Sequence, residues 1–243
     1  MSLHITEYKN KKIKIDPVKM TNDEMINVEP PLPNNYGFFM GVIGKPNSGK
    51  TTLWLSLINR KGKCYWKKFD KIFIFSASFK TISSKIKLPD DRLIDGFDEE
   101  KLDEIINGKA DEKEEKPQKI LIIFDDVVAS LQKNMKSFLR LVYNRRHILG
   151  SCSIILISQV YNRIPLEIRK VFQTLIVFST GNKREIDSIY EDVSQLKRDE
   201  FDQLLKHCFQ NAHDFILIDV TNNEYYHNFN RLELSDKGKT ISV

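Results

Sequence analysis

Two short stretches carry residue types that could do chemistry together. Gly44-Lys45-Pro46-Asn47-Ser48-Gly49-Lys50-Thr51 has glycine, four residues, then Gly-Lys-Thr, the spacing of a loop whose backbone N–H groups cradle phosphate. Its glycines permit the tight turn, and a following helix would aim its positive dipole end at the anion. Lys50 is assigned to the β- and γ-phosphates and Thr51 to a Mg²⁺ ion, which prefers hard oxygen ligands; Thr52 completes the nucleotide-binding set 44–52. The second stretch is Lys119-Ile120-Leu121-Ile122-Ile123-Phe124-Asp125-Asp126, five consecutive apolar residues that end in paired carboxylates. That pattern describes a buried parallel strand with acids at its tip. Asp125 is assigned to the metal through its water shell, and Asp126 to orienting or deprotonating an attacking water. Taken singly, the two stretches read as a glycine turn and a capped strand end. Their pairing is what favours phosphate chemistry.

The surrounding sequence supplies elements able to position them. Phe38-Phe39-Met40-Gly41-Val42-Ile43 reads as the strand before the loop, and Thr52 to Ile58 as the helix after it. Lys71 to Ser76 gives a second strand, and the polar stretch after it reads as a loop. Glu99 to Asn107 suits a short helix, and Lys109 to Gln118 an exposed linker. Lys133 to His147 places Met135, Phe138, Leu139 and Val142 on one helical face. Ser153 to Gln159 is another buried strand with a polar tip; Gln159 either senses the γ-phosphate and holds the nucleophilic water or simply ends the strand. A helix from Pro165 through Phe172, a strand from Thr174 to Phe178, and helical patterns around Ile186–Val193 and Phe201–Cys208 follow. Asp214–Val220 and Glu224–Phe229 then form a terminal hairpin. The expectation is an α/β fold: a central, mostly parallel sheet flanked by helices, with a C-terminal β-hairpin. Residues 1–36, with Lys9–Lys14 basic and Pro30-Pro31-Leu32-Pro33 unfit for helix, are expected to be an extended arm before one domain over 37–243.

Composition narrows the class. The chain has 243 residues, 41% hydrophobic and 29% charged, within the globular range, and no apolar run long enough to span a bilayer. Its N-terminus lacks the apolar core of a signal peptide, so the expected location is intracellular. Cys64, Cys152 and Cys208 are isolated and suggest neither disulfides nor a zinc site. The net charge is +5; because Asp98 to Lys116 holds nine acidic and four basic residues, the remainder carries +10, which permits a polyanionic partner. Arg60 to Lys68 mixes basic residues with Tyr65 and Trp66. It either tracks a phosphate backbone or is a solvated loop around a buried tryptophan.

With an extra strand between the loop and Asp125-Asp126, the order resembles the RecA-like additional-strand ATPases. More narrowly, the chain resembles the poxvirus-type genome-packaging ATPases of large DNA viruses and virophages, within the FtsK/HerA superfamily. The resemblance runs from about Phe38 to Val177 and rests on Gly44 to Thr51, Ile122 to Asp126, Asn144-Arg145-Arg146-His147 and Ile157-Ser158-Gln159. It implies an ATPase, with ATP and Mg²⁺, that drives double-stranded DNA into a preformed capsid as a ring, commonly a hexamer. Duplex DNA, sister subunits and capsid or portal-like proteins are the implied partners, without membrane insertion. The host cytoplasm, a viral factory or the virion is the implied place. Arg146, or Arg145 beside it, would reach a neighbour's γ-phosphate, with Arg163 and Arg169 as rivals. Related motors more often carry Glu where this chain has Asp126. A GTPase reading fails, since Asn182-Lys183-Arg184-Glu185 has Glu where Asp is required and no Asp-x-x-Gly follows the acidic strand. A nucleotide kinase, or a nucleotide-switched nucleic-acid or capsid-binding protein without translocation, remain the alternatives.

Overall fold

Runs of β-branched and aromatic residues become the strands β1 (Phe39–Ile43), β2 (Lys71–Ser76), β3 (Leu93–Asp95), β4 (Lys119–Asp125), β5 (Ser151–Ser158), β6 (Thr174–Phe178), β7 (Phe215–Asp219), β8 (Glu224–His227) and β9 (Asn230–Arg231). The segments between them supply α1 (Lys50–Asn59), α2 (Phe79–Ser83), α3 (Glu99–Asn107), α4 (Val128–Leu131), α5 (Met135–Asn144), α6 (Leu166–Arg169), α7 (Lys183–Val193) and α8 (Arg198–Cys208). The structure is a computed structural model that describes residues 24–59, 64–108, 118–133, 135–148 and 151–234. All nine strands form one sheet in the order β3-β2-β4-β5-β1-β6-β7-β8-β9. β3 through β6 in that order run parallel, and β7, β8 and β9 add antiparallel strands at one edge.

Period-two alternation decides which side chains meet which helices. Ile122, Phe124, Ile154 and Leu156 face the core shared with α3, α5, α7 and α8. Leu121, Ile123, Ile155 and Ile157 face the opposite core with Trp54, Leu57 and Ile58 of α1. Both faces are therefore covered, as parallel sheets require. α3 is started by Asp98, whose Oδ1 accepts from the Lys101 N–H (2.9 Å), and Glu99 and Glu100 complement the helix dipole in its first turn.

Several expectations are corrected by the packing. From residue 24 the predicted extended arm is folded back on the domain: Met25 bridges Asn35, and Ile26, Leu32 and Tyr36 enter the α1-side core. The basic run Lys9–Lys14 lies outside the described residues, as do Arg60–Lys63 and the linker 109–117. Tyr65 is fully buried, its hydroxyl donating to Pro33 O (2.8 Å), so its ring offers no face to a base. Trp66 is half-buried beneath Lys67 Nζ (4.6 Å from the ring centroid). The stretch through Lys87 read as a loop after β2 holds α2, and the edge strand β3 follows it; both are too short to announce themselves by periodicity. The helix expected through Phe172 stops at Arg169, because Phe172 turns under β1: its ring lies 4.5 Å from that of Phe39.

Arg145 has a structural role in this frame. Its Nε–H donates to Gly37 O (2.8 Å), one terminal nitrogen to Val142 O (2.7 Å) and the other to Gln173 Oε1 (3.3 Å), which also accepts from the Phe39 N–H. The guanidinium thereby clamps the end of α5 to the entry of β1. Arg145→Ala strands these part-buried acceptors, and denaturant unfolding should show a loss of about 2–3 kcal/mol.

Candidate active site

β1 delivers Gly44 to the carboxyl end of the parallel strands, where its N–H donates to Ser158 O (3.1 Å) at the tip of β5. A Cβ on Gly44 would stand 2.6 Å from Ser48 Oγ and 2.8 Å from Phe178 Cβ, so only glycine lets the loop curl this closely. Asn47 (φ 62°) and Gly49 (φ 108°) take left-handed backbone, and α1 starts at Lys50 directly after them, so the positive end of its dipole adjoins the loop. Lys45, Pro46, Asn47, Thr51 and Thr52 are exposed around that mouth. Lys50 is only 8% exposed, and its ammonium donates to Gly44 O (2.5 Å) and Lys45 O (3.0 Å). Burial lowers its pKa, opposed by the Asp126 and then the Asp125 carboxylates. Ser48 Oγ is buried without a hydrogen-bond partner.

The carboxylates arrive from β4, two strands away. Asp125 is 4% exposed, and its Oδ2 accepts from Ser76 Oγ (3.0 Å) at the tip of β2, its register partner. Burial is the main cause that raises its pKa; the Ser76 bond opposes this, and Asp126 adds to it. The Trp54 indole N–H pulls weakly the other way without meeting hydrogen-bond geometry. Asp126 leaves the strand at φ 60°, its N–H donating to Ile157 O (3.1 Å), and its Oδ2 accepts from Gln159 Nε2. Gln159 thus sits against Asp126 on the intervening strand tip. Ser76, which orients Asp125, was missed in the sequence; the only available signal was a hydroxyl ending a strand predicted to be parallel. His213 was missed as well: its Nδ1 lies 3.0 Å from Ser48 O, and nothing local in the sequence links residues so far apart.

The arginines divide differently. Arg145 and Arg146 lie where β1 and β5 begin, with Arg146 Cγ 3.0 Å from a Cβ placed on Gly37. The eight residues of β5 put them roughly 25 Å from Gln159 at about 3.3 Å per residue. Neither can serve the nucleotide end of its own chain, and Arg145 is committed to the three acceptors already named. Arg169 pairs with Asp192 (2.9 Å), donates to Asn162 Oδ1 (3.2 Å) and lies over the Tyr161 ring. Arg163 is exposed just beyond Gln159, at the nucleotide end. Burial pushes the Cys208 thiol up to about 12 and Cys152 higher still, which removes both as nucleophiles.

The residues fit a nucleoside triphosphate with Mg²⁺. The curled loop, the buried ammonium and the orphaned Ser48 hydroxyl suit phosphate oxygens, while Thr51 and Asp125 offer hard oxygens to the ion. Among the described residues no group of three or more His, Cys, Asp or Glu side chains could hold a metal, so phosphate and water would complete the shell. A model of the family described as poxvirus A32 protein matches residues 32–218. The chain belongs to the poxvirus A32 protein family. No curated protein matches it. Solved structures similar to this A32-family chain include B204, the DNA-packaging ATPase from Sulfolobus turreted icosahedral virus, at 18% identity over 80% of this chain and 98% of that one, TM-score 0.58. The genome packaging NTPase B204 from Sulfolobus turreted icosahedral virus 2, in complex with sulfate, aligns at 15% identity over 82% and 100%, TM-score 0.60. EssC (ATPases 2 and 3) from Geobacillus thermodenitrificans aligns at 15% over 90% of this chain and 47% of its own, TM-score 0.55. Both nucleotide motifs meet in this fold, and the A32-family chain is a P-loop ATPase.

The raised pKa of Asp125 has a sign. A carboxyl whose folded value exceeds its unfolded one contributes most stability below the unfolded pKa, and loses it as pH rises through the folded value. Asp125→Asn keeps an acceptor for Ser76 without the buried charge. It should melt higher than the parent at neutral pH, and the gap should close as pH falls through the carboxylate range, as followed by thermal unfolding.

Proposed function

We propose that this chain is an ATP-driven motor that moves double-stranded viral DNA into a preformed capsid, working as a ring of subunits, commonly six. The observation that carries the reading is the meeting of the Lys50 loop with Asp125, Asp126 and Gln159 on neighbouring strand tips, in a chain whose family and fold point to genome packaging. The loop amides and Lys50 would hold the phosphates. Mg²⁺, when bound through Thr51 and Asp125, would neutralise charge on the β- and γ-phosphate oxygens. Asp126 Oδ2 is occupied by the Gln159 amide, which leaves Oδ1 to take the proton of the attacking water.

The ring would supply what one subunit lacks. Arg146 can reach only a neighbour's site, whereas Arg163 stands at the nucleotide end of its own strands, so the charge-offsetting role passes to whichever a neighbour brings across. The +10 charge outside residues 98–116 suits a duplex, which carries a phosphate charge about every 1.7 Å of axis. The capsid or a portal-like protein would be the docking partner, and the host cytoplasm or a viral factory the setting. Among the described residues no helix is long and apolar enough to cross a membrane.

Phosphate release by the full-length chain should rise several-fold when long duplex DNA is added to the assembled ring; turnover indifferent to DNA sinks the motor reading. Asp126→Asn should bind ATP nearly as the parent does while turning over about 100-fold slower or worse.

A further inference from the structure

Beside the phosphate loop, on the flank away from the carboxylates, lie rings that phosphate chemistry does not use. The strand order puts Asp125, Asp126 and Gln159 on the β5–β4 side of β1, and β6 with β7 on the other. A triphosphate with its γ end at Asp126 must therefore send its nucleoside out over the tips of β6 and β7. Phe178 lies there against the loop, 2.8 Å from a Cβ on Gly44 and 3.4 Å from one on Gly49. Its ring centroid is 5.3 Å from that of Phe215, which is 5.2 Å from that of Phe229; Phe229 is 42% exposed.

His213 completes the arrangement. Its backbone is left-handed (φ 70°), and its ring lies against the loop, Nδ1 3.0 Å from Ser48 O and 3.5 Å from a Cβ on Gly49. A carbonyl only accepts, so Nδ1 carries the hydrogen and the imidazole is fixed in place. The neighbouring polar side chains are already engaged with one another. Asp214 accepts from the Asn211 backbone (2.9 Å) and side-chain amide (3.1 Å) and from Asn228 Nδ2 (3.2 Å), while Asn228 Oδ1 accepts from the Phe215 N–H (3.0 Å). They hold the shelf together, with the Asp214 carboxylate and the Asn228 amide turned to groups of the chain itself.

We propose that His213 and Phe229 form the base shelf of the nucleotide site and hold a purine by stacking alone, so that the enzyme accepts ATP and GTP alike. This rests on the nucleotide reading given under Proposed function. Stacking uses the π-face that every base presents and is indifferent to its edge. The test is titration calorimetry of the full-length chain with Mg²⁺ and, separately, ATPγS, GTPγS and tripolyphosphate, which has phosphates but no base. The two nucleotides should bind within about threefold of each other, and Phe229→Ala should weaken both by about tenfold, the effect of losing one stacked ring. Tripolyphosphate affinity should be unchanged in that variant, which also reports an intact loop, and Phe229→Tyr should bind as the parent does. Phe229→Ala that binds ATPγS normally, or a parent that prefers ATPγS over GTPγS by more than about thirtyfold, overturns the shelf alone. A parent that binds none of the three overturns the nucleotide reading and the shelf with it.

Discussion

Two opposite charges are buried at the strand tips, and each is in a place that resists its charge. Desolvation lowers the pKa of Lys50 and raises that of Asp125, the signs expected when an ammonium and a carboxylate leave water. Their attraction does not cancel the cost, since neither shift is reversed by the partner. Lys50 instead spends its hydrogens on the loop's own carbonyls, and Asp125 is steadied by Ser76. Such an arrangement is weak support for stability, because a buried pair often does no better than apolar residues of the same size. It makes sense as preparation for a ligand carrying several negative charges and a divalent cation, which would meet both charges at once.

The order of the strands sets the size of the gap. Adjacent strands lie about 4.8 Å apart, so β1 and β4, with β5 between them, hold the loop and the carboxylates roughly 10 Å apart. That distance leaves room for a phosphate and a water between loop and acid, which direct neighbours would not. The same intervening strand brings Gln159 to the middle of the gap and lets it bind Asp126. Position, here, follows from where parallel strands stop, and the helices on both faces matter mainly because they keep those ends in register.

Much of this was legible because buried parallel strands write themselves as continuous apolar runs. Lys71–Ser76, Thr174–Phe178 and the run into Asp125 all stand where the pattern placed them, and so does the helix over Glu99–Asn107. The phosphate loop was legible for a different reason: its glycines and lysine sit side by side in sequence, so a local signal describes the whole feature. What escaped notice depended on contacts between distant segments. Ser76 meets Asp125 across 49 residues and His213 meets Ser48 across 165, and no spacing rule spans such gaps. The bonds that tie Arg145 to the carbonyls of Gly37 and Val142 were likewise out of reach, because sequence shows its charge but not the acceptors that hold it. The 24–36 segment was misread because prolines forbid helix and central strand, yet they do not forbid the turn that returns Ile26 and Tyr36 to the core.

Three of the six non-glycine residues with positive φ among the described residues stand at the phosphate loop or at the strand tips on either side of it. Asn47, Asp126 and His213 all have positive φ, a conformation that costs an L-residue about 1–2 kcal/mol unless, as for Asn and Asp, a short polar side chain eases it. Each is held by a bond or turn from a separate element: Asp126 by Ile157 O and Gln159, His213 by Ser48 O, and Asn47 by the curl that Gly44 and Gly49 permit. At Asp126 the consequence can be followed. A regular strand would place Asp125 and Asp126 on opposite faces of the sheet, one toward each core. Breaking the pleat at Asp126 lets Asp125 stay buried against Ser76 while Asp126 turns to Gln159, so two adjacent carboxylates acquire different surroundings.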